Sequence, residues 1–132
     1  MYMYIDPATD KEIGKLPDMG AKETREAIEV AAEAFKSWST TTGKERHDLL
    51  LAWYRTIMDN QEDLATILTW ENGKTLTEAK GEVAYGASFF EWFAEEAVRT
   101  YGTVIPSHIP HQRFITIKQP VGVVGVITPW SK

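Results

Sequence analysis

Apolar residues fall first into short runs, then into a long stretch of three- and four-residue steps, and finally into a continuous block. Tyr2 to Asp10 and Glu12 to Pro17 are short segments punctuated by Pro7 and Gly14, which predicts a hairpin. From Ala21 to Trp38, the residues Ala27, Ile28, Ala31, Phe35 and Trp38 recur at helical spacing. Lys22, Glu26, Glu29, Glu33 and Lys36 occupy the other face, so an amphipathic helix is predicted. Thr42 and Glu45 form a capping box, in which hydroxyl and carboxylate each satisfy a backbone N–H left open at a helix start. The second helix that follows carries Leu49, Leu50, Trp53, Tyr54 and Ile57 as its stripe. Asn60 is suited to cap a third helix through Leu64, Ile67 and Leu68, with Gly73 as its stop. The fourth pattern runs from Thr75 to Tyr101, with Leu76, Ala79, Val83, Phe90, Phe93, Ala94 and Ala97 on one side and Gly102 at its end.

Beyond Gly102, Pro106 and Pro110 break any helix, and Phe114 to Ile117, between Arg113 and Lys118, predict an exposed or edge strand. After Pro120 the run Val121 to Ile127 is nearly all apolar and ends in Thr128-Pro129-Trp130. Such a run suits a strand buried on both faces of a parallel sheet, which needs neighbouring strands and covering helices. Two residues follow Trp130, and no internal repeat supplies partners. The pattern therefore predicts the opening piece of a larger α/β fold, mainly helical as far as this chain extends.

Composition narrows the function classes. Fourteen basic against nineteen acidic side chains give a formal charge of −5 with no long block of either sign, which argues against nucleic acid as the main partner. The absence of cysteine excludes disulfides, thiolate metal sites and thiol nucleophiles. At 132 residues the chain holds one domain or parts of two. No apolar run approaches the roughly 20 residues that span a bilayer, and Met1 to Asp10 lack the features of a secretory or transit peptide. A soluble cytoplasmic protein is expected, or a mitochondrial one if a targeting segment precedes Met1.

Candidate chemistry is sparse. Gly122 and Gly125 lie within the predicted strand rather than in the turn after it, and a third glycine is missing. Close strand-to-helix packing therefore explains them better than a dinucleotide fingerprint. His108 and His111 sit on a Pro-flanked segment that suits a solvated loop better than a metal site, and His47 is expected at the surface. Glu91, Glu95 and Glu96 fit the solvated face of an amphipathic helix. The aromatic cluster Phe89, Phe90, Trp92 and Phe93 exceeds what one helix face needs, so part of it is expected against a second surface. Thr128-Pro129-Trp130 stands where ligands bind in open α/β sheets, at the carboxyl end of a strand, although an ordinary strand-ending turn also fits.

The stretch Gln119-Pro-Val-Gly-Val-Val-Gly-Val-Ile-Thr-Pro-Trp130 resembles the segment that opens the cofactor domain of aldehyde dehydrogenases. Ile5 to Thr9, Glu12 to Lys15, Lys44 to Arg46, Leu64 to Lys74, Glu78-Ala79, Gly81-Glu82 and Phe90 to Glu96 extend the likeness over nearly the whole chain. Glu91 to Glu96, Tyr101-Gly102 and Lys118 to Pro120 look most like the succinate-semialdehyde dehydrogenase branch. The resemblance implies an NAD- or NADP-dependent oxidation of a small aldehyde, succinate semialdehyde to succinate, through a cysteine nucleophile and a glutamate base that this chain lacks. It implies that Ile127, Thr128, Pro129 and Trp130 line the nicotinamide side of the cofactor site, that no catalytic or metal-binding residue is present, and that the chain alone is inactive and does not hold the cofactor stably. Ser131 stands where the family has an asparagine donor to the oxyanion, a contribution worth about 3 kcal/mol. By the same likeness, residues 1–102 form the helical part of the cofactor-binding domain, 103–119 the oligomerisation strands, and 120–132 the first strand and turn of a Rossmann-like sheet. Partners would be identical or full-length subunits, reached through Phe114, Ile115 and Ile117. The alternative reading is a non-enzymatic form that binds full-length subunits and alters their assembly.

Overall fold

The computed structural model describes residues 1–129. It opens with the antiparallel pair β1 (Tyr2–Ile5) and β2 (Glu12–Leu16), in the register Tyr2 to Leu16 and Tyr4 to Gly14, with an irregularity after Tyr4. Asp6 closes the turn between them. Its carboxylate accepts hydrogen bonds from Ala8 N at 2.8 Å and Thr9 Oγ1 at 2.7 Å, and its own N–H donates to Lys11 O at 2.9 Å.

Four helices follow: α1 (Ala21–Trp38), α2 (Gly43–Asp59), α3 (Gln61–Asn72) and α4 (Leu76–Ala97). Three begin with a carboxylate turned back on the chain. Glu23 accepts from Gly20 N, Glu45 from Thr42 N and Oγ1, and Glu78 from Thr75 N and Oγ1. These hydrogen bonds hold the three carboxyls below the ordinary glutamate range, led by the Glu23 backbone, the Thr42 backbone and the Thr75 side chain respectively. At α3 the expected Asn60 cap is not made by its side chain. That amide donates instead to Thr56 O at 2.8 Å, one turn back in α2. Gly73 ends α3 at φ 84°, the left-handed conformation that spares only glycine a steric cost.

The core lies where α4 packs on α2 and α3, and small residues make it. Among the described residues, Ala65, Leu68, Ala79, Ala87 and Ala94 are the buried apolar side chains, and Val83 packs against the first three. Alanine on α4 lets the helix axes approach closely. A methyl added at Gly43 would sit 2.7 Å from Ala97 O. Polar ties fix the layer: Gln61 Nε2 donates to Lys80 O at 3.0 Å, and Lys80 pairs with Glu62. The expected stripes are partly redistributed, because Leu49, Leu64, Ile67 and Phe93 remain exposed while Ala65 and Ala87 go inside. Trp53 stays exposed yet rests on half-buried Phe90, with ring centroids 4.5 Å apart.

Helix α4 stops at Ala97, before Gly102. Gly102 serves a different purpose, since a Cβ there would lie 2.0 Å from Thr116 O. It permits the close approach that starts the second antiparallel pair, β3 (Thr103–Pro106) and β4 (Arg113–Thr116), in the register Thr103 to Thr116. Both strands are exposed throughout, as expected for an edge element.

The buried strand expected over Val121 to Ile127 is not formed. Residues 121–129 have no regular secondary structure, and Val121, Val126 and Ile127 are among the most exposed apolar side chains. A strand exists by pairing, and the described residues hold no parallel sheet for it to join, only two antiparallel pairs of two strands each.

Candidate functional site

The terminal run leaves β4 through Lys118, Gln119 and Pro120, turns at Gly122 and passes beside α1. Gly122 has φ 107°, a conformation that L side chains rarely adopt. Neither Gly122 nor Gly125 has a heavy atom within 4 Å of its missing Cβ, so close packing does not account for them. Gly122 is required by its backbone conformation.

Two grooves flank this run. Ala31, Ala34, Phe35 and Trp38 of α1 face Val123 and Val124 across a groove of about 300 Å³. Nearer Gly122, Phe35, Trp38, Arg46, Lys118, Gln119 and Pro120 are among the residues around a groove of about 500 Å³. The apolar stripe of α1 therefore faces the terminal run, and no side chain of α1 is fully buried. Arg46 belongs to this place because its Nη1 donates to Thr41 O at 2.5 Å, tying the start of α2 to the connection that follows α1.

Ile127, Thr128 and Pro129 are exposed and line none of the four described grooves; Trp130 and Ser131 lie outside the described residues. Among the described residues, Ile127, Thr128 and Pro129 meet no groove wall and no phosphate-binding turn. They do not by themselves fit a dinucleotide.

Other candidates are separated from the run. His108 and His111 are exposed in the β3–β4 turn, where His111 has φ 66°. Among the described residues, no group of three or more His, Cys, Asp or Glu is placed to hold a metal ion. Glu91 and Glu95 are exposed on α4, and half-buried Glu96 pairs with Arg99 at 3.2 Å. His47 is not a surface residue. Its side chain is 17% exposed, and Nδ1 lies 3.0 Å from Ala94 O, joining α2 to the last turns of α4. The sequence carried no signal for that contact, which depends on where α4 crosses α2. On its outer face α4 presents Tyr85, Phe89, Trp92 and Phe93 around a groove of about 760 Å³, so only Phe90 of the expected cluster turns inward.

A family model decides the relationship: residues 1–132 match that of the aldehyde dehydrogenase family. The chain belongs to the aldehyde dehydrogenase family. It is 55% identical to glutarate-semialdehyde dehydrogenase of Pseudomonas putida KT2440 over 126 residues, 96% of this chain and 26% of that protein. It is 51% identical to the NADP(+) succinate-semialdehyde dehydrogenase GabD of Escherichia coli K12, over the same shares. Among solved structures, succinate-semialdehyde dehydrogenase from Burkholderia pseudomallei superposes with a TM-score of 0.89 at 47% identity, covering 92% of this chain and 25% of that one. This chain thus spans about a quarter of the length of these aldehyde dehydrogenases. The mainly helical architecture with small antiparallel pairs is that of the matching part of their fold. No described helix is long and apolar enough to cross a membrane.

Proposed function

We propose that this chain serves as the amino-terminal part of an NAD(P)-dependent aldehyde dehydrogenase that oxidises succinate semialdehyde to succinate, and that it is inactive alone. The observation that carries the reading is the match over residues 1–132 combined with about half identity to semialdehyde dehydrogenases. Residues 1–102 then form the helical part of the cofactor-binding domain, 103–119 the assembly strands, and 120–132 the first strand and turn of a Rossmann-like sheet. Val121 to Ile127 pair as a strand once a parallel neighbour is present. Ile127, Thr128, Pro129 and Trp130 then form the nicotinamide-side edge. In the complete fold that edge would lie against a bound NAD or NADP, which would supply the hydride acceptor. The role of this chain's residues is to supply that apolar edge and, through α1 and α4, to cover the sheet.

The experiment is immunocapture, from cells, of the polypeptide that carries this sequence, followed by assay with a panel of semialdehydes. Succinate semialdehyde should support NAD(P)H formation with the highest kcat/KM. A captured polypeptide longer than this chain that is silent, or one that prefers an aldehyde without a carboxylate, contradicts the proposal.

One observation favours a second reading. The β3–β4 pair is exposed on both strands, with Ile115 of β4 and Ile117 just beyond it each 72% exposed, a surface suited to strand addition by another subunit. A chain that binds full-length subunits and alters their assembly would use it. Co-expression and pull-down with the full-length enzyme tests this, and the absence of any complex removes it.

A further inference from the structure

The groove of about 500 Å³ beside Gly122 is lined by positive charge alone. Its lining includes Arg46 and Lys118 and no aspartate or glutamate, in a chain whose formal charge is −5. Arg46 is half-buried, and its hydrogen bonds leave from one nitrogen only, Nη1, to the neutral acceptors Thr41 O at 2.5 Å and Thr41 Oγ1 at 3.3 Å. Among the described residues, no ion pair involves Arg46 or Lys118. Glu45, which is outside the groove lining, interacts with the Arg46 charge at a distance, while its carboxylate hydrogen-bonds to Thr42 and not to the guanidinium. The remaining guanidinium donors are partly withdrawn from water without an ion-pair partner, an arrangement that an oxyanion in the guanidinium fork would satisfy.

The geometry points to an anion-binding site in this groove, taking a small oxyanion, a phosphate or a short-chain carboxylate, held by the Arg46 guanidinium and the Lys118 ammonium. Phe35, Trp38 and Pro120 wall the site, and Gln119 and Thr100 offer further polar groups at its rim. The site differs from the proposed nicotinamide edge, which begins beyond it at Ile127. Occupancy would bridge the start of α2 to the segment that delivers the terminal run.

The test is equilibrium dialysis of the whole 132-residue chain against radiolabelled inorganic phosphate and, separately, radiolabelled succinate, with ionic strength held by chloride. A single saturable site with a Kd of about 1 mM or tighter is expected for at least one anion; the anion that binds identifies the source. Lys118 is exposed, so K118Q should keep the far-UV spectrum of the parent and weaken binding by about fivefold or more. R46K keeps the charge but loses the bidentate fork, and should weaken binding by about tenfold. Absence of saturable binding by either anion, or binding that K118Q leaves unchanged, overturns the assignment.

Discussion

Exchanging two glycines for alanine should move stability in opposite directions, because the helix layer is close-packed at one and open at the other. At Gly43 the new methyl would lie 2.7 Å from Ala97 O and 3.4 Å from Val98 Cα, both backbone atoms that cannot rotate away. Relief requires α2 and the end of α4 to separate, which also stretches the 3.0 Å contact between His47 Nδ1 and Ala94 O. Overpacking of this kind costs about 1–3 kcal/mol. The restricted unfolded chain returns about 0.4–1 kcal/mol, so Gly43→Ala should destabilise by about 1 kcal/mol net. Gly86 lies within α4 with nothing inside 4 Å of its missing Cβ. There the helix preference of alanine acts unopposed, and Gly86→Ala should stabilise by about 0.5–1 kcal/mol. Urea unfolding followed by far-UV circular dichroism reads both as midpoint shifts at constant slope. A Gly43→Ala protein as stable as Gly86→Ala would refute the close α2–α4 approach on which the core rests.

Other consequences follow from single contacts. Thr42→Ala and Thr75→Ala each remove a cap and should cost about 1 kcal/mol in the same unfolding assay. Glu45 and Glu78 have folded-state pKa values below their unfolded ones, so their contribution is present above the unfolded value and fades as pH falls through the folded one. An acid titration of stability should therefore drop below the ordinary glutamate range, and less steeply in the Thr42→Ala, Thr75→Ala double variant. Thr69 Oγ1 is buried without a hydrogen-bond partner, so Thr69→Val should be neutral or stabilising by up to about 1 kcal/mol by thermal melting. A double-mutant cycle on Trp53 and Phe90 should show a coupling of about 0.5–1.5 kcal/mol.

Local chemistry made the helix boundaries readable. The Thr42–Glu45 pair marks the start of α2 and Gly73 the end of α3, because these features depend on neighbours within a few residues. What the sequence concealed depends on distant neighbours. Phe93 and Leu49 are apolar at suitable spacing, yet Ala87 and Ala94 occupy the crossing with α2 and α3, since only small side chains let the axes meet. Gly102 looked like a helix stop, and its role emerges only from the carbonyl of Thr116 across the hairpin. His47 was expected in solvent for the same reason: the Ala94 carbonyl that it meets lies 47 residues away.

The candidate site divides along the same line. Its motif, Val121 to Trp130, was legible and carried the family likeness, while its geometry was not, because the expected strand needs a parallel sheet and the described residues form only two antiparallel pairs. The grooves lined by α1, Arg46 and Lys118 emerged only in three dimensions.

The most direct test of the central claim, that this chain supplies framework and one cofactor edge but no reacting group, is a turnover assay on the purified 132-residue chain. Succinate semialdehyde with NAD and with NADP should give no aldehyde-dependent NAD(P)H above the buffer rate. Sustained, enzyme-proportional formation of NAD(P)H by a chain without cysteine would contradict the account.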